Sequence, residues 1–329
     1  MPSADASSTM DRAALDVAAL YGRALAQIER VVYGQRDAVT SCLAALFSNG
    51  HILLEGVPGV AKTTLVRTIA AVLSLDFKRF QFTPDLLPND ITGSYVFRAQ
   101  TSAFEFREGP VFANFLLADE VNRAPAKTQS ALLEAMQEGT VSLEKHVHPL
   151  PAPFVVFGTQ NPVEHEGTYP LPLAQLDRFM FKVLVGYPDA SSEEQILTQH
   201  HANPGRGFLE TFQLEKVATR EEVLAAREVI NATFVRPEVI RYVRALVAAT
   251  RDNSNLLVGA SPRAGLMLLM GSKSLARFEG RDFVTPDDIK AVFLPALRHR
   301  VVVSPASELE GVTVDEALQQ IMKSVEVPR

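Results

Sequence analysis

The residues best suited to chemistry lie at positions 56–63, which read Gly-Val-Pro-Gly-Val-Ala-Lys-Thr. This is the Walker A spacing of a phosphate-binding loop, except that Ala61 stands where the pattern has glycine. Such a loop turns backbone N–H groups and a helix N-terminus toward phosphate, and Lys62 and Thr63 would add a cation and a Mg²⁺-binding hydroxyl. Alanine adds only a methyl group, so we expect Ala61 to be tolerated if its backbone is helical; the alternative is an ordinary glycine turn. The residues predicted to bind nucleotide here are Gly56, Val57, Pro58, Gly59, Val60, Ala61, Lys62, Thr63 and Thr64.

An acidic pair follows the apolar run at 115–118. Asp119 stands where a Walker B aspartate would hold Mg²⁺, so Thr63 and Asp119 are the predicted metal ligands. Glu120 comes next, and a carboxylate beside Mg²⁺-nucleotide can polarise water for attack on the γ-phosphate. The alternative is that the two acids only cap the following segment. Together with the phosphate loop, the pair favours a hydrolytic site with Glu120 as the general base.

Three more polar residues follow in order. Asn161 comes after the apolar run at 154–157 and could orient the attacking water, although an asparagine before proline is also typical of a turn. Arg178 lies in Leu-Asp-Arg-Phe, and Arg263 lies in Ser-Pro-Arg at an expected helix start. An arginine offered to a neighbouring subunit stabilises charge that develops during phosphoryl transfer and makes hydrolysis depend on assembly. Glu120, Asn161, Arg178 and Arg263 are therefore the catalytic candidates.

The elements around these motifs alternate between strands and helices. Residues 51–55 predict a short apolar strand that enters the loop, and residues 62–73 predict a helix. Apolar residues at three- and four-residue spacing between 11 and 47 predict helices upstream. With the buried runs before Asp119 and Asn161, this order predicts an α/β core whose parallel sheet has helices on both faces.

Strand signals fade after Pro188, and the remainder is predicted to be helical, including a capped start at Thr285. Short apolar runs at 95–106 and 141–147 flank polar turns and predict two surface hairpins. The expected domains are a flexible tail at 1–11, a nucleotide-binding core at 12–188 and a smaller helical domain at 189–329.

Composition narrows the function classes. With 47% hydrophobic residues, the 329-residue chain can fill two cores, and a formal charge of −6 argues against stable nucleic-acid binding. Cys42 is the only cysteine, which excludes an intrachain disulfide or a cysteine zinc site, and we expect it to be buried on a helix. The first ten residues lack a signal peptide, and no apolar run reaches the ~18 residues of a membrane span, so we expect a cytoplasmic location without membrane insertion.

Beyond the phosphate loop, ordered motifs cover residues 30 to 305, and the chain resembles the MoxR-type AAA+ ATPases. The motifs are Gly-Val-Pro-Gly-Val-Ala-Lys-Thr at 56–63, Gln-Phe-Thr-Pro-Asp-Leu-Leu-Pro at 81–88, Ile-Thr-Gly at 91–93, Asp-Glu-Val-Asn-Arg-Ala-Pro at 119–125, Gln-Ser-Ala-Leu-Leu-Glu-Ala-Met at 129–136, Thr-Gln-Asn-Pro at 159–162, Leu-Asp-Arg-Phe at 176–179 and Ser-Pro-Arg at 261–263. Alanine at position 61 also fits that family's version of the loop.

The resemblance implies a fold and roles for the candidate residues. The fold would be an AAA+ P-loop NTPase core, with a parallel sheet flanked by helices, plus a smaller all-α C-terminal lid domain. Asn161 would be sensor 1, Arg178 the arginine finger and Arg263 sensor 2 on the lid. Residues 32–35 would border the adenine, with Gly34 and Gln35 among the nucleotide-binding residues. Residues 91–110 and 141–150 would be the helix-2 insert and the pre-sensor hairpin, which face the ring axis in related motors. For Arg123 two roles stay open, a nucleotide contact across the interface or a brace for the turn after Glu120.

The resemblance also implies ligands and partners. ATP and Mg²⁺ would be the cofactors, and the chain would form a homo-oligomer, usually a hexameric ring. Members of the family act as chaperone-like motors that mature or activate protein complexes, often with partners that carry von Willebrand A domains. The sequence does not identify the client.

Two other function classes stay open. A nucleic-acid-tracking ring would need basic hairpins, but residues 91–110 balance two arginines with two glutamates, and residues 141–150 hold one lysine. A nucleotide-gated scaffold with slow turnover would more naturally lack Glu120, and no guanine-reading Asn-Lys-x-Asp run is present. His146 and His148 share one face of a predicted strand, but solvated histidines are the favoured interpretation because further metal ligands are missing nearby.

Overall fold

In the computed structural model of the protein, the described residues are 15–143, 146–161, 168–202 and 211–328. The expected tail at residues 1–11 lies outside them. The helices of the first part are α1 (Val17–Glu29), α2 (Arg36–Phe47), α3 (Lys62–Val72), α4 (Pro88–Thr92), α5 (Ala126–Glu138) and α6 (Leu173–Leu176), with a 3-10 turn at Val121–Arg123. Its strands are β1 (Ile52–Glu55), β2 (Phe77–Gln81), β3 (Gly93–Arg98), β4 (Ala103–Glu108), β5 (Phe115–Asp119), β6 (Thr140–Leu143), β7 (His146–Pro149), β8 (Val155–Gln160) and β9 (Phe181–Leu184).

The second part is mostly helical. Its elements are α7 (Ala190–Ala202), α8 (Arg220–Asn231), α9 (Pro237–Arg251), β10 (Leu256–Val258), α10 (Pro262–Phe278), α11 (Pro286–Leu297), β11 (Val302–Val303), α12 (Pro305–Leu309) and α13 (Val314–Ser324). The predicted capped start at Thr285 is confirmed, and it is a full capping box, in which the side chains of Thr285 and Asp288 each accept from the other's backbone N–H. The antiparallel pair β10–β11 is an addition that the sequence did not indicate.

Five strands form one parallel sheet in the order β2-β5-β8-β1-β9. Successive residues of β5 pack on opposite faces, because Phe115 and Leu117 join one hydrophobic core while Leu116 and Ala118 join the other. The second of these cores is closed by α5, and the first by α1 to α3 together with lid residues. The predicted parallel sheet with both faces covered is confirmed.

The strands of both predicted hairpins pair as expected. Strands β3 and β4 pair antiparallel from Gly93 with Glu108 to Arg98 with Ala103, and β6 pairs with β7. The two hairpins contact each other, since the ring of His148 stacks on that of Phe106 with centroids 4.0 Å apart. The turn at residues 144–145 lies outside the described residues.

The helical lid is fixed to the amino-terminal end of the sheet. The hydroxyl of Ser48, just after α2, donates to the backbone oxygen of Met270 at 2.9 Å. The buried guanidinium of Arg227 in α8 donates to the oxygen of Leu46 at 2.7 and 3.0 Å. Burial lowers the pKa of Arg227 to about 10, so the side chain stays charged at neutral pH.

The structure also bears on the expectations for Cys42 and for membrane-spanning helices. Cys42 is fully buried on α2, and burial raises the pKa of its thiol to about 12, which makes it unreactive. Among the described residues, no helix combines the length and the apolarity that crossing a membrane would require.

Candidate active site

The predicted phosphate loop joins the carboxyl end of β1 to the first turn of α3. Ala61 occupies the N-cap position of α3 with φ 61° and ψ 24°, which is left-handed backbone. The condition under which we expected Ala61 to be tolerated, helical dihedrals, is therefore met only in the left-handed sense. The chain forms the loop in spite of a conformation that favours glycine.

The loop has the features that a phosphate group requires. The N-cap residue of α3, Ala61, makes no side-chain capping bond, and the first turn of a helix directs backbone N–H groups, here including those of Thr63 and Thr64, toward a phosphate. A Cβ at Gly59 would meet no heavy atom within 4 Å, while one at Gly56 would lie 2.2 Å from the oxygen of Val185. Only glycine therefore fits at 56. The ammonium of Lys62 bends over the loop and donates to the oxygen of Gly56 at 2.6 Å.

The segment expected to border the adenine lies against this loop. The side-chain amide of Gln35 donates to the oxygen of Val60 at 3.5 Å, and its buried Oε1 atom has no hydrogen-bond partner among the described residues. Gly34 has φ 68°, and a Cβ there would lie 2.7 Å from the hydroxyl of Ser192 at the start of α7. An unpartnered buried acceptor suits the amino group of adenine, so these residues fit the nucleotide.

The polar strand ends meet at the same edge of the sheet. Strand β8 lies between β5 and β1. Asp119 ends β5, Asn161 follows β8 and the phosphate loop follows β1, so all three lie at the same edge of three adjacent parallel strands. Thr159 links two of these strands, because its hydroxyl donates to Asp119 Oδ1 at 2.5 Å and accepts from the N–H of Glu120 at 2.8 Å. Asn161 is buried, with 8% of its surface exposed. The predicted metal ligand, base and sensor are thus brought together beside the loop.

Two residues of β2 contact the acidic pair, and sequence reasoning missed both roles. The guanidinium of Arg79 donates to Asp119 Oδ2 at 2.6 and 3.0 Å. The amide of Gln81 donates to Glu120 Oε2 at 2.6 Å. Gln81 is the first residue of the motif at 81–88, so the sequence did mark it as a candidate. Only the pairing of β2 with β5 places it opposite Asp119.

Arg123 also contacts the proposed base. Its guanidinium donates to the same Oε2 atom of Glu120 at 2.9 Å, and Glu120 itself has left-handed backbone with φ 57°. Of the two roles left open for Arg123, the structure shows the contact of a brace for this turn. Both donors bind Oε2, so the other oxygen of the carboxylate keeps lone pairs that can accept a proton.

Arg178 and Arg263 lie at the other end of the sheet. Just after Arg178, the N–H of Met180 donates to the oxygen of His51 at 2.7 Å, so this segment is level with the residue before β1. Burial lowers the pKa of His51 to about 4, and the nearby charges of Arg227 and Arg263 add to that effect. The structure therefore does not bring these two arginines to the phosphate loop of their own chain.

The donor set fits Mg²⁺ better than a transition metal. Thr63 and Asp119 are oxygen ligands, and Mg²⁺ is usually held by one or two protein ligands together with phosphates and water. Within the described ranges, no group of three or more His, Cys, Asp or Glu side chains is placed to hold a metal. His146 is exposed, as expected, whereas His148 is half-buried: it packs on Phe106, and its Nε2 lies 3.3 Å from the hydroxyl of Tyr95.

Comparisons with known proteins agree with this architecture. Residues 51–181 match the ATPase family associated with various cellular activities (AAA), and residues 248–321 match the AAA lid domain. The chain is 44% identical to the uncharacterised protein YeaC of Bacillus subtilis, over 95% of this chain and 96% of that protein. It is 43% identical to the chaperone MoxR1 of Mycobacterium tuberculosis, over 93% of this chain and 82% of that protein.

A solved structure shows the same likeness in three dimensions. The crystal structure of a candidate ATPase from Cytophaga hutchinsonii superposes with a TM-score of 0.87 at 41% identity, covering 95% of this chain and 97% of the other. The phosphate loop, the acidic strand end and the lid occur in one chain that is similar to these proteins over nearly its whole length. The chain therefore belongs to the MoxR group of AAA+ ATPases.

Proposed function

We propose that this protein is a Mg²⁺-dependent ATPase whose catalytic site is completed by a neighbouring subunit of a ring, and that it uses the cycle to remodel or activate a protein complex. The reaction is ATP + H₂O to ADP and phosphate. The ring would be hexameric, as the family resemblance implies. We also propose that the protein acts together with a partner that carries a von Willebrand A domain.

The position of Arg178 carries the proposal of a shared site. The phosphate loop starts at Gly56 on the carboxyl edge of the sheet, whereas the segment of Arg178 pairs with His51 at the amino edge. Five residues of extended chain separate these levels, which corresponds to about 16 Å. That distance exceeds the reach of an arginine side chain. A phosphate contact from Arg178 therefore requires a second copy of the chain.

The residues at the carboxyl edge can divide the chemistry among them. Lys62 and the N–H groups of α3 would bind the β- and γ-phosphates, and Thr63 and Asp119 would hold Mg²⁺. Bound Mg²⁺ would supply charge neutralisation on the phosphates as they separate. Glu120 would accept the proton of the attacking water, and Asn161 would orient that water.

Contacts from β2 set a condition on this chemistry. Arg79 holds the carboxylate oxygen Oδ2 of Asp119, and Gln81 holds Oε2 of Glu120. The guanidinium of Arg79 would compete with Mg²⁺ for Asp119, whereas the bond of Gln81 orients Glu120 and leaves the lone pairs of its other oxygen for a proton. Binding of Mg²⁺ would therefore include a displacement of Arg79 from Asp119.

The hairpin β3–β4 favours a protein client over a nucleic acid. Phe97 and Phe104 are 55% and 70% exposed, and their ring centroids lie 5.3 Å apart. The neighbouring Arg98 is paired with Glu105 at 2.6 Å, so the hairpin tip presents apolar surface without excess positive charge. An exposed apolar patch suits an apolar segment of a protein, whereas nucleic-acid binding needs a basic groove.

The test of the shared site is the ATPase rate against protein concentration, with Mg²⁺ present, for the wild type and Arg178→Ala in parallel. A shared site predicts that the rate per subunit rises with concentration in the wild type and stays low in the variant. Nucleotide binding should be equal in both. A rate per subunit that is equal and independent of concentration in both proteins would refute the shared site.

A further inference from the structure

The segment that carries Arg178 is held by a buried arginine of the lid. Arg300, which follows α11, has 1% of its side chain exposed. Its Nη1 atom donates to the oxygen of Met180 at 2.9 Å, and Nη2 donates to the oxygens of Asp177 and Phe179 at 3.0 and 2.5 Å. One guanidinium thus binds the backbone on both sides of Arg178. Burial lowers the pKa of Arg300 to about 10, so it remains a cation at neutral pH.

The carboxylate of Asp177 joins this cation to the start of α10. Its Oδ1 atom accepts from Arg300 Nε at 2.6 Å, and its Oδ2 atom accepts from the hydroxyl of Ser261 at 3.2 Å. Ser261 occupies the N-cap position of α10, yet its side chain makes no capping bond to that helix. The hydroxyl is directed to Asp177 instead. Arg263 lies two residues farther along, in the first turn of α10.

These contacts connect the segments that carry Arg178 and Arg263, the two arginines that lie far from the phosphate loop of their own chain. Asp177 is the residue before Arg178, and Ser261 lies two residues before Arg263. The carboxylate of Asp177 therefore couples α10 to the backbone of Arg178, beside the close packing of Gly271 of α10 on the ring of Phe181, and Arg300 restrains that backbone.

We propose that Asp177 and Arg300 are positioning residues that hold Arg178 and Arg263 as one rigid unit for the nucleotide of the neighbouring subunit. This inference rests on the shared site proposed above. It makes the lid of one subunit responsible for catalysis in the next, although neither Asp177 nor Arg300 touches nucleotide. A purely structural role would instead fix the lid to the core and leave the supply of arginine to the neighbour unchanged.

The closing experiment mixes two kinds of subunit. A receiver, Arg178→Ala, keeps its own base but offers no finger, and a donor, Glu120→Gln, has no base but offers its finger. Neither turns over ATP alone, and turnover in the mixture reports the arginine that donors supply to receivers. Adding Asp177→Asn to the donor then tests whether Asp177 positions that arginine, while the nucleotide affinity and thermal midpoint of the donor are measured separately.

A second buried ion pair in the lid gives a matched control. Arg281 donates to both oxygens of Asp288 at 2.6 and 2.8 Å, and Asp288 is 4% exposed. The structure shows no contact of this pair with residues 177–180. A donor that carries Asp288→Asn loses a comparable lid contact, so it measures the effect of a weakened lid alone.

The outcomes separate the two proposals. Positioning predicts that the Asp177→Asn donor restores turnover roughly tenfold to hundredfold less than the plain donor, while the Asp288→Asn donor restores it fully. Equal restoration by all three donors would overturn the positioning role and leave the shared site intact. If the plain donor restores nothing, Arg178 does not act on a neighbour, and both proposals fail.

Two further donor variants control for the case in which the Asp177→Asn donor folds poorly. Ser261→Ala removes only the hydroxyl bonded to Asp177 and leaves the buried ion pair in place, so it should fold and still restore turnover less than the plain donor. The double change Asp177→Asn with Arg300→Met avoids an unpaired buried charge, since apolar replacement of a buried ion pair is often neutral for stability. A folded double variant that restores turnover fully would also overturn the proposal.

Discussion

Replacing Ala61 by glycine should stabilise the protein, because this alanine has left-handed backbone with φ 61° and ψ 24°. A Cβ atom in that region costs roughly 1–2 kcal/mol, whereas glycine adopts it freely. Glycine also gives the unfolded chain more freedom, which offsets about 0.4–1 kcal/mol of the gain. The free energy of unfolding should therefore rise by roughly 1 kcal/mol.

The measurement is urea denaturation without nucleotide, followed by far-UV circular dichroism. The matched control is Ala71→Gly in the same helix, where the residue is exposed and the backbone is right-handed. Glycine at that position should lower the free energy of unfolding by about 0.5–1 kcal/mol. The two substitutions are chemically identical, so opposite signs can come only from the backbone at each site.

Equal losses of stability in the two glycine variants would refute the reasoning, because they would show that Ala61 carries no strain. A titration with a fluorescent ATP analogue completes the test. The loop already has the left-handed geometry that glycine prefers, so Ala61→Gly should bind the analogue as tightly as the wild type. Weaker binding would mean that the methyl group itself helps to shape the phosphate loop.

Three further outcomes are expected at the site and in the core. Glu120→Gln should keep nucleotide binding and lose turnover, because an amide cannot accept the proton of water; wild-type turnover in this variant would exclude Glu120 as the base. Arg79→Gln should lower the Mg²⁺ concentration needed for half-maximal nucleotide binding, since Asp119 no longer has to leave a guanidinium, and an unchanged requirement would contradict this. Burial lowers the pKa of His51 to about 4, so only the unfolded chain takes up a proton as pH falls below about 6.5. Stability should fall by about 2 kcal/mol from this group between pH 7 and pH 5, and urea denaturation that shows no fall would contradict it.

The chemistry at strand ends was predictable because local sequence determines it. An apolar run that ends in Asp119-Glu120 and another that ends before Asn161 are strands with polar ends, whatever the rest of the chain does. Parallel order then brings those ends together beside the loop that follows β1. Helix starts such as Thr285 were predictable for the same reason, since capping involves residues three apart.

The contacts of β2 could not be predicted in this way. Strand β2 reads Phe-Lys-Arg-Phe-Gln, and it lies at the edge of the sheet, so its side chains are only partly buried and its pattern is weak. Strand β9 is four residues long and gave no separate signal. The bonds of Arg79 and Gln81 to the acidic pair depend on the register between β2 and β5, which is a long-range property.

The direction of β9 decides which nucleotide Arg178 can serve. The segment Leu-Asp-Arg-Phe precedes β9, and β9 pairs parallel with β1 from Ile52 with Phe181 to Glu55 with Leu184. If β9 ran antiparallel, the same residues would lie beside Gly56 and the arginine could complete its own site. A parallel neighbour places the residue before the strand at the opposite edge from the phosphate loop. The proposed dependence on a second subunit therefore rests on strand direction, which the motif alone does not specify, and the mixing experiment tests it.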